Sequence, residues 1–353
     1  MNRRIPFEPN ELKPASFIPA FFPGMPDTPV RNFPVSPKEN TMAMYQDRNP
    51  YWMPGTGDGG MFWLDIYNNL LGRGGFNVGT TDAFGIEWEW VELAGGSIVK
   101  PGEPFLEDIR DWKEKIIIPD IDAWDWAGAT ETTKVDKFYF TEMSLVNGFW
   151  FERLISFMDF GPAAVALIDD EQKPYVHELF AALTDLACDV VDKFIEFWPG
   201  IDGFNIHDDW GSQRAPFFSL DTAYEMFLPY MQKLTGHIHS KGRVATLHSC
   251  GHLEDRIQVF IDGGFDQWTP QDMNDTGMLY DKYGDKIVIA VIPDRYDPAT
   301  TTEDEQRALA RAYVDKYCQP NKPANCGFYG AWAFTPAFSD EVYEYSRKKY
   351  FEM

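Results

Sequence analysis

From about residue 138 onward, short apolar runs alternate with longer amphipathic stretches, and this alternation constrains the fold more than any other feature of the chain. The runs are "KFYFTE" (137–142), "IDGFNIHDD" (201–209), "RVATLHS" (243–249), "FDQWTPQ" (265–271), "KIVIAVI" (286–292) and "NCGFYGA" (325–331). Each has the length of a strand, and several are apolar at nearly every position, as strands covered on both faces are. Between them, stretches at 172–197, 220–240, 253–262, 274–283 and 302–317 carry helical spacing. Strand–helix units repeated in this way predict a parallel sheet, because parallel neighbours need a crossover between them. Polar residues gather where the strands end: Glu142, His207-Asp208-Asp209, His248-Ser249-Cys250 and Gln271-Asp272. A (β/α)8 TIM barrel carries its active site at those ends, so an α/β barrel is the expected fold, ahead of a doubly wound open sheet.

Residues 1–60 lack this order. They are rich in proline and have no steady period, which predicts an irregular N-terminal arm before a single barrel domain over 61–353. Within the arm, "SPKEN" (36–40) predicts a helix start, with Ser36 as N-cap and Pro37 at the first helical position. "GTGDGG" (55–60) spells a dinucleotide fingerprint, but it follows "YWMP" rather than a strand and no βαβ unit surrounds it, so no dinucleotide site is expected there.

The chain has 353 residues, and 44% of them are hydrophobic, enough for one large core. A formal charge of −24 opposes nucleic acid, an anionic membrane surface or a heavily carboxylated substrate. No apolar run approaches the roughly 18 residues of a membrane span. The start, "MNRRIPFEPNELKP", has no apolar run of the secretory kind. Four cysteines are too few for a disulfide framework, so reduced thiols in a cytoplasmic protein are expected. The aromatic clusters "YWMPGTGDGGMFW" and "FGIEWEWVE" are dense enough to wall a pocket as well as to fill a core.

Chemistry concentrates in "RVATLHSCGH". Residues two apart on a strand face the same side, so His248 and Cys250 can meet one ion, and Gly251 permits a sharp exit. Zinc accepts both imidazole nitrogen and thiolate sulfur, but two ligands hold it poorly. Cys188 lies in a helical pattern and Cys318 at a helix end before Pro320, so both read as core. Cys326, beside a glycine and a strand signal, is the candidate third ligand. On these residues alone, a satisfied core histidine and a small apolar cysteine remain the competing explanation.

"HSCGH" follows a stretch reading "FLPYMQKLTGHIHSKG". Together with "HDDWGSQRAPFFS" (207–219), "TDAFGIEWEW" (81–90) and "PGEPFLEDIRDWKEKIIIPDID" (101–122), it resembles the cobalamin-dependent methyltransferases of the uroporphyrinogen decarboxylase superfamily. The resemblance runs from about residue 36 to the end. It implies a (β/α)8 barrel with zinc held by His248, Cys250 and Cys326, and a fourth position open to exchange. Glu142 is the acidic residue expected at that position, ahead of Asp208 and Asp209, with hydrogen-bond acceptor or helix cap as its other roles. His207, Asp208 and Asp209 are the expected catalytic group, orienting substrate or supporting a ligand, with capping of the following turn as the alternative. His252 is expected to point along the next helix.

The resemblance also implies that a methyl group moves between a small molecule and the cobalt of a corrinoid. "HSKG" (239–242) matches part of a cobalamin-binding pattern, but His237 stands where that pattern needs aspartate. The corrinoid is therefore expected on a separate protein. That protein and a small-molecule methyl donor or acceptor are the expected partners, with any self-association as a homodimer. A methoxylated aromatic is the favoured donor. The alternatives are transfer in the opposite direction, from methylcobamide to a thiol, and a decarboxylase of the uroporphyrinogen type. The latter lacks its arginine-bearing motif here, since "DRNPYWMPGTGD" offers only Arg48. A non-catalytic binding protein with a structural zinc is the reading from another class.

Overall fold

The computed structural model describes the chain outside residues 1–4, 19–26, 56–57, 63, 65, 68–70, 72–80, 93–95, 101 and 146. The strands, in order, are β1 (Pro14–Ile18), β2 (Thr28–Arg31), β3 (Gly59–Phe62), β4 (Trp88–Val91), β5 (Gly96–Val99), β6 (Phe140–Leu145), β7 (Gly203–His207), β8 (Val244–His248), β9 (Gln267–Thr269), β10 (Val288–Val291) and β11 (Asn325–Cys326). The chain gathers into two units. One comprises Met61–Val135 and Glu142–Phe265; the other comprises Met1–Gly60, Asp136–Thr141 and Asp266–Met353. The N-terminal 60 residues thus group with the C-terminal part of the chain. Two residues of the "GTGDGG" run, Thr56 and Gly57, fall outside the described residues.

In the first unit, β6, β7 and β8 are parallel. Glu142–Leu145 runs in register with Gly203–Ile206, and Gly203–His207 with Val244–His248. Because side chains alternate, Met143, Leu145, Phe204, Ile206, Ala245 and Leu247 share one face, and all are buried. Two helices, Lys173–Phe197 and Leu228–Ser240, supply apolar side chains to this core, among them Leu183, Val190, Phe194, Leu234 and Ile238. The opposite face carries Glu142, Ser144, Asn205, His207, Thr246 and His248. It is polar and joined across strands: the Thr246 hydroxyl donates to Glu142 Oε1 at 2.6 Å, and Asn205 Nδ2 donates to Thr246 at 2.8 Å. One apolar and one polar face is what leaves functional groups free to converge at the strand ends.

The single helix expected over 220–240 is two, Leu220–Met226 and Leu228–Ser240. Pro229 has no N–H to continue the ladder, and it stands in the first turn of the second helix instead. The first of the two begins at Ser219, whose hydroxyl accepts the Thr222 N–H at 3.0 Å.

In the other unit, β9 and β10 pair in parallel, as do β10 and β11, and the helices Thr276–Tyr283, Glu303–Tyr317 and Pro336–Glu352 surround them. The run at 325–331 yields a two-residue strand and then a 3-10 helix, Phe328–Ala333, where a longer strand was expected. The Cys326 N–H turns to the Pro54 carbonyl, and the Gly330 N–H closes back on Gly327, so the ladder cannot continue. The arm has its predicted helix, Pro37–Gln46, with Ser36 Oγ accepting the Glu39 N–H at 3.1 Å. Glu11 ties the arm to the C-terminal helix. Its carboxylate accepts from Arg347 Nε at 2.8 Å and from the Tyr343 hydroxyl at 2.7 Å. Burial pushes this carboxyl up, but the bonds from Arg347 and Tyr343 outweigh it and hold Glu11 below the ordinary range.

The alternation of parallel strands and helices is therefore present, and the protein is α/β. Among the described residues each unit contributes three such strands, against the eight of the expected TIM barrel. Part of the difference lies in residues 81–135, which form the antiparallel pair β4–β5 and short helices. No helix of the described residues is long and apolar enough to cross a membrane.

Candidate metal and active site

The register of β7 against β8 puts His207 directly opposite His248. Both strands are parallel, so the residues two further on, Asp209 and Cys250, leave the sheet side by side as well. The result is a His-x-Asp segment beside a His-x-Cys segment. One ligand atom from each of His207, Asp209, His248 and Cys250 lies within 4.8 Å of all the others. The two imidazole rings are 5.0 Å apart. His248 Nε2 is 3.2 Å from Cys250 Sγ, and His207 Nε2 is 3.8 Å from Asp209 Oδ1. The Cys250 N–H donates to Asp209 Oδ1 at 2.7 Å, which ties the two segments together. Two imidazoles, a thiol and a carboxylate form a donor set that suits zinc and its neighbours in the first transition row. Their ligand-type atoms gather in one place, which is a first requirement for holding a cation.

Backbone conformation sharpens the turn out of β8. Gly251 sits at φ 108°, where side-chain-bearing residues rarely go, and a Cβ there would come within 2.4 Å of the Gly211 carbonyl carbon. The exit expected from the sequence is thus a close crossing of two backbones. Gly148 plays the corresponding part after β6: a Cβ on it would lie 2.6 Å from the His207 carbonyl oxygen.

The three acidic and imidazole side chains expected to act together at 207–209 face two ways. Asp208 is fully buried and points into the scaffold. It accepts the Phe151 N–H at 3.2 Å and the Glu152 N–H at 2.9 Å, at the start of the helix Phe151–Met158, and Trp210 Nε1 at 2.7 Å. Burial, reinforced by the neighbouring Glu152, raises its carboxyl to about 7. His207 and Asp209 point the other way, into the four-residue group. Glu152 stands behind His207, with Oε2 2.8 Å from Nδ1.

Glu142 is not a member of that group. It lies on the polar face, bonded to Thr246 two positions before His248, and burial raises its carboxyl to about 7. Cys326 belongs to the other unit, where burial pushes its thiol well above the ordinary value. There it lines a cavity of about 40 Å³ with Arg31, Trp52, Asp58 and Tyr343. Cys188 and Cys318 are buried, their thiols raised by burial to about 11 and 12, in keeping with core residues. His252 turns to Glu254, 3.5 Å away, and Gln213 and Arg214 are exposed. The aromatic segment 84–90 contributes to the core: Phe84 packs edge-on against Phe157, and Trp88 donates to the buried Asp82.

Sequence reasoning placed His207 and Asp209 near the chemistry but not among the ligand candidates it favoured. The repeated His-x-ligand spacing at the ends of two consecutive strands was the available signal. Glu152 had none, because its role depends on a helix folding back over β7.

No protein-family model matches the chain, and no curated protein matches it in sequence. Solved structures do resemble it. Xylanase B from Clostridium stercorarium F9 aligns at a TM-score of 0.34 with 12% identity, over 62% of this chain and 80% of its own, too weak a likeness to bear on the fold. A methyltransferase from Methanosarcina mazei aligns at a TM-score of 0.55 with 15% identity, covering 90% of this chain and 99% of that one, so the two share a fold along nearly their whole length.

Proposed function

We propose that the chain is a metal-dependent methyltransferase, in which His207, Asp209, His248 and Cys250 hold a divalent ion, zinc foremost. The methyl group passes between a small molecule and the cobalt of a corrinoid carried by a separate protein. The convergence of four donor atoms within 4.8 Å on two adjacent strands is the observation that carries this reading. The fold shared with the Methanosarcina mazei methyltransferase and the ordered motifs around "HSCGH" support the reaction class.

A metal bound there supplies Lewis acidity to a substrate oxygen or sulfur. The chain's own residues do the rest. His248 is buried while His207, Asp209 and Cys250 are partly exposed, so a ligand can approach from the side of those three. Asp209 is the ligand most easily displaced, because the Cys250 N–H gives its carboxylate another partner. Glu142, near neutrality at pH 7 and one layer below, can hold a proton for a departing alkoxide or phenolate.

The test combines metal analysis with a donor screen. Purified protein should contain about one zinc per chain and should methylate reduced cobalamin from a methoxyaromatic, a methylamine or methanol. Loss of transfer in Cys250→Ser and His248→Ala, with the fold retained, supports the proposal. Transfer running only from methylcobalamin to a thiol assigns the opposite direction. Protein that binds no metal, or whose activity survives both substitutions and a chelator, overturns it. Metal-free decarboxylation would favour the rival reading.

A further inference from the structure

We infer that Glu152 is the positioning residue of the metal site, fixing the tautomer of His207 so that Nε2 presents its lone pair to the ion. The inference rests on the metal reading above. Glu152 Oε2 lies 2.8 Å from His207 Nδ1, so one hydrogen bond joins the two side chains. In the inferred arrangement Nδ1 donates its proton to that bond, which turns Nε2 toward the ion. Nε2 faces Asp209 Oδ1 at 3.8 Å, too far for a hydrogen bond. It is within the roughly 4 Å that two ligands, each about 2 Å from a shared ion, can span.

The backbone makes this arrangement rigid. Asp208 receives the Glu152 N–H at 2.9 Å and the Phe151 N–H at 3.2 Å, so the residue next to His207 in the chain anchors the root of the side chain that holds His207. Glu152 is itself buried, at 8% exposure, and its neighbour Gly148 packs against the His207 carbonyl. A carboxylate behind a ligating imidazole fixes ring orientation and raises the basicity of the ligating nitrogen. Here the carboxylate reaches β7 from a helix, and His207 is thereby distinguished from His248.

The experiment compares wild type, Glu152→Ala, Glu152→Gln, His207→Ala and the double variant Glu152→Ala/His207→Ala. Zinc affinity is read by competition with a chromophoric chelator, with folding followed by circular dichroism. Glu152→Ala should bind zinc about 10–100-fold more weakly. Glu152→Gln, whose amide oxygen still accepts from Nδ1, should recover most of that loss. In the His207→Ala background, Glu152→Ala should make no further difference. Imidazole ¹⁵N spectra of the metal-free protein should show His207 with its proton on Nδ1, and a mixture of tautomers in Glu152→Ala. Unchanged affinity in Glu152→Ala, a full further loss in the double variant, or a proton on Nε2 in wild type overturns the inference while leaving the metal site standing. Wild type that takes up no zinc overturns both.

Discussion

Two polar clusters sit inside the same unit and are built on opposite principles. Around Asp82 every acceptor meets a donor: Oδ1 takes the Phe84 and Ile86 N–H groups at 3.0 Å, and Oδ2 takes Trp88 Nε1 at 3.0 Å and Arg153 Nη1 at 2.8 Å. Arg153 also donates to the Leu71 carbonyl, and its guanidinium lies 4.8 Å above the Phe84 ring. Both partners are essentially inaccessible to water. This cluster closes on itself and pins the 82–88 segment to the helix Phe151–Met158. At His207, Asp209, His248 and Cys250, by contrast, the converging atoms are mostly acceptors or acids, and three of the four residues remain partly exposed. A closed, buried cluster stabilises the chain; a convergent, partly exposed group of ligand-type side chains is suited to an incoming cation.

The comparison breaks most readily at Arg153. Arg153→Met strands the Asp82 carboxylate in the core, and denaturant unfolding should show a loss of about 3–5 kcal/mol. Zinc uptake by the folded fraction should be unaffected; a variant of normal stability that had lost zinc would reverse the roles assigned to the two clusters. Substitution within the convergent group should do the opposite. His248→Ala should weaken zinc binding by more than ~100-fold, beyond what supporting residues contribute. Its metal-free stability should fall less than that of Arg153→Met. If the metal-free protein unfolds instead, the group is structural.

A smaller effect concerns Glu142. Its carboxyl is raised to about 7 by burial, so it resists ionising in the folded state. The stability it contributes is whole below the unfolded pKa near 4.5 and is lost as pH rises to about 7. Glu142→Gln should remove this dependence and be the more stable protein at pH 8 relative to pH 4.5, by an amount on the order of 1–3 kcal/mol in melting experiments. A pH profile identical to wild type would show the carboxyl to be solvated. The smallest change is expected from Thr246→Val, which takes away the hydroxyl that donates to Glu142, at a cost of about 1 kcal/mol. That variant should also push the Glu142 transition to higher pH, because the lost bond favours the ionised form.

Much of the local architecture was legible in the residues. Ser36 caps its helix, the strands β7 to β10 lie within the predicted runs while β6 starts three residues later than its run and extends past it to Leu145, and Cys188 and Cys318 pack as core. What misled was context: Pro229 divides a stretch whose apolar spacing is continuous, and the turn of Cys326 toward Pro54 truncates a run with strand composition. At the site, His248 and Cys250 could be paired because two positions on one strand share a face. Asp208 and Asp209 could not be told apart, although one anchors a helix and the other faces the ligand atoms.

By itself the sequence determined which side chains share a face, because alternation along a strand and the period of a helix are local properties of the backbone. Which faces meet was left to the tertiary structure. Asp209 and Cys250 are 41 positions apart and Glu152 and His207 are 55 apart, and no period links them. The register of β7 against β8 and the return of one helix over the strand ends bring them together, because each is settled by the burial of the apolar faces rather than by the polar residues themselves.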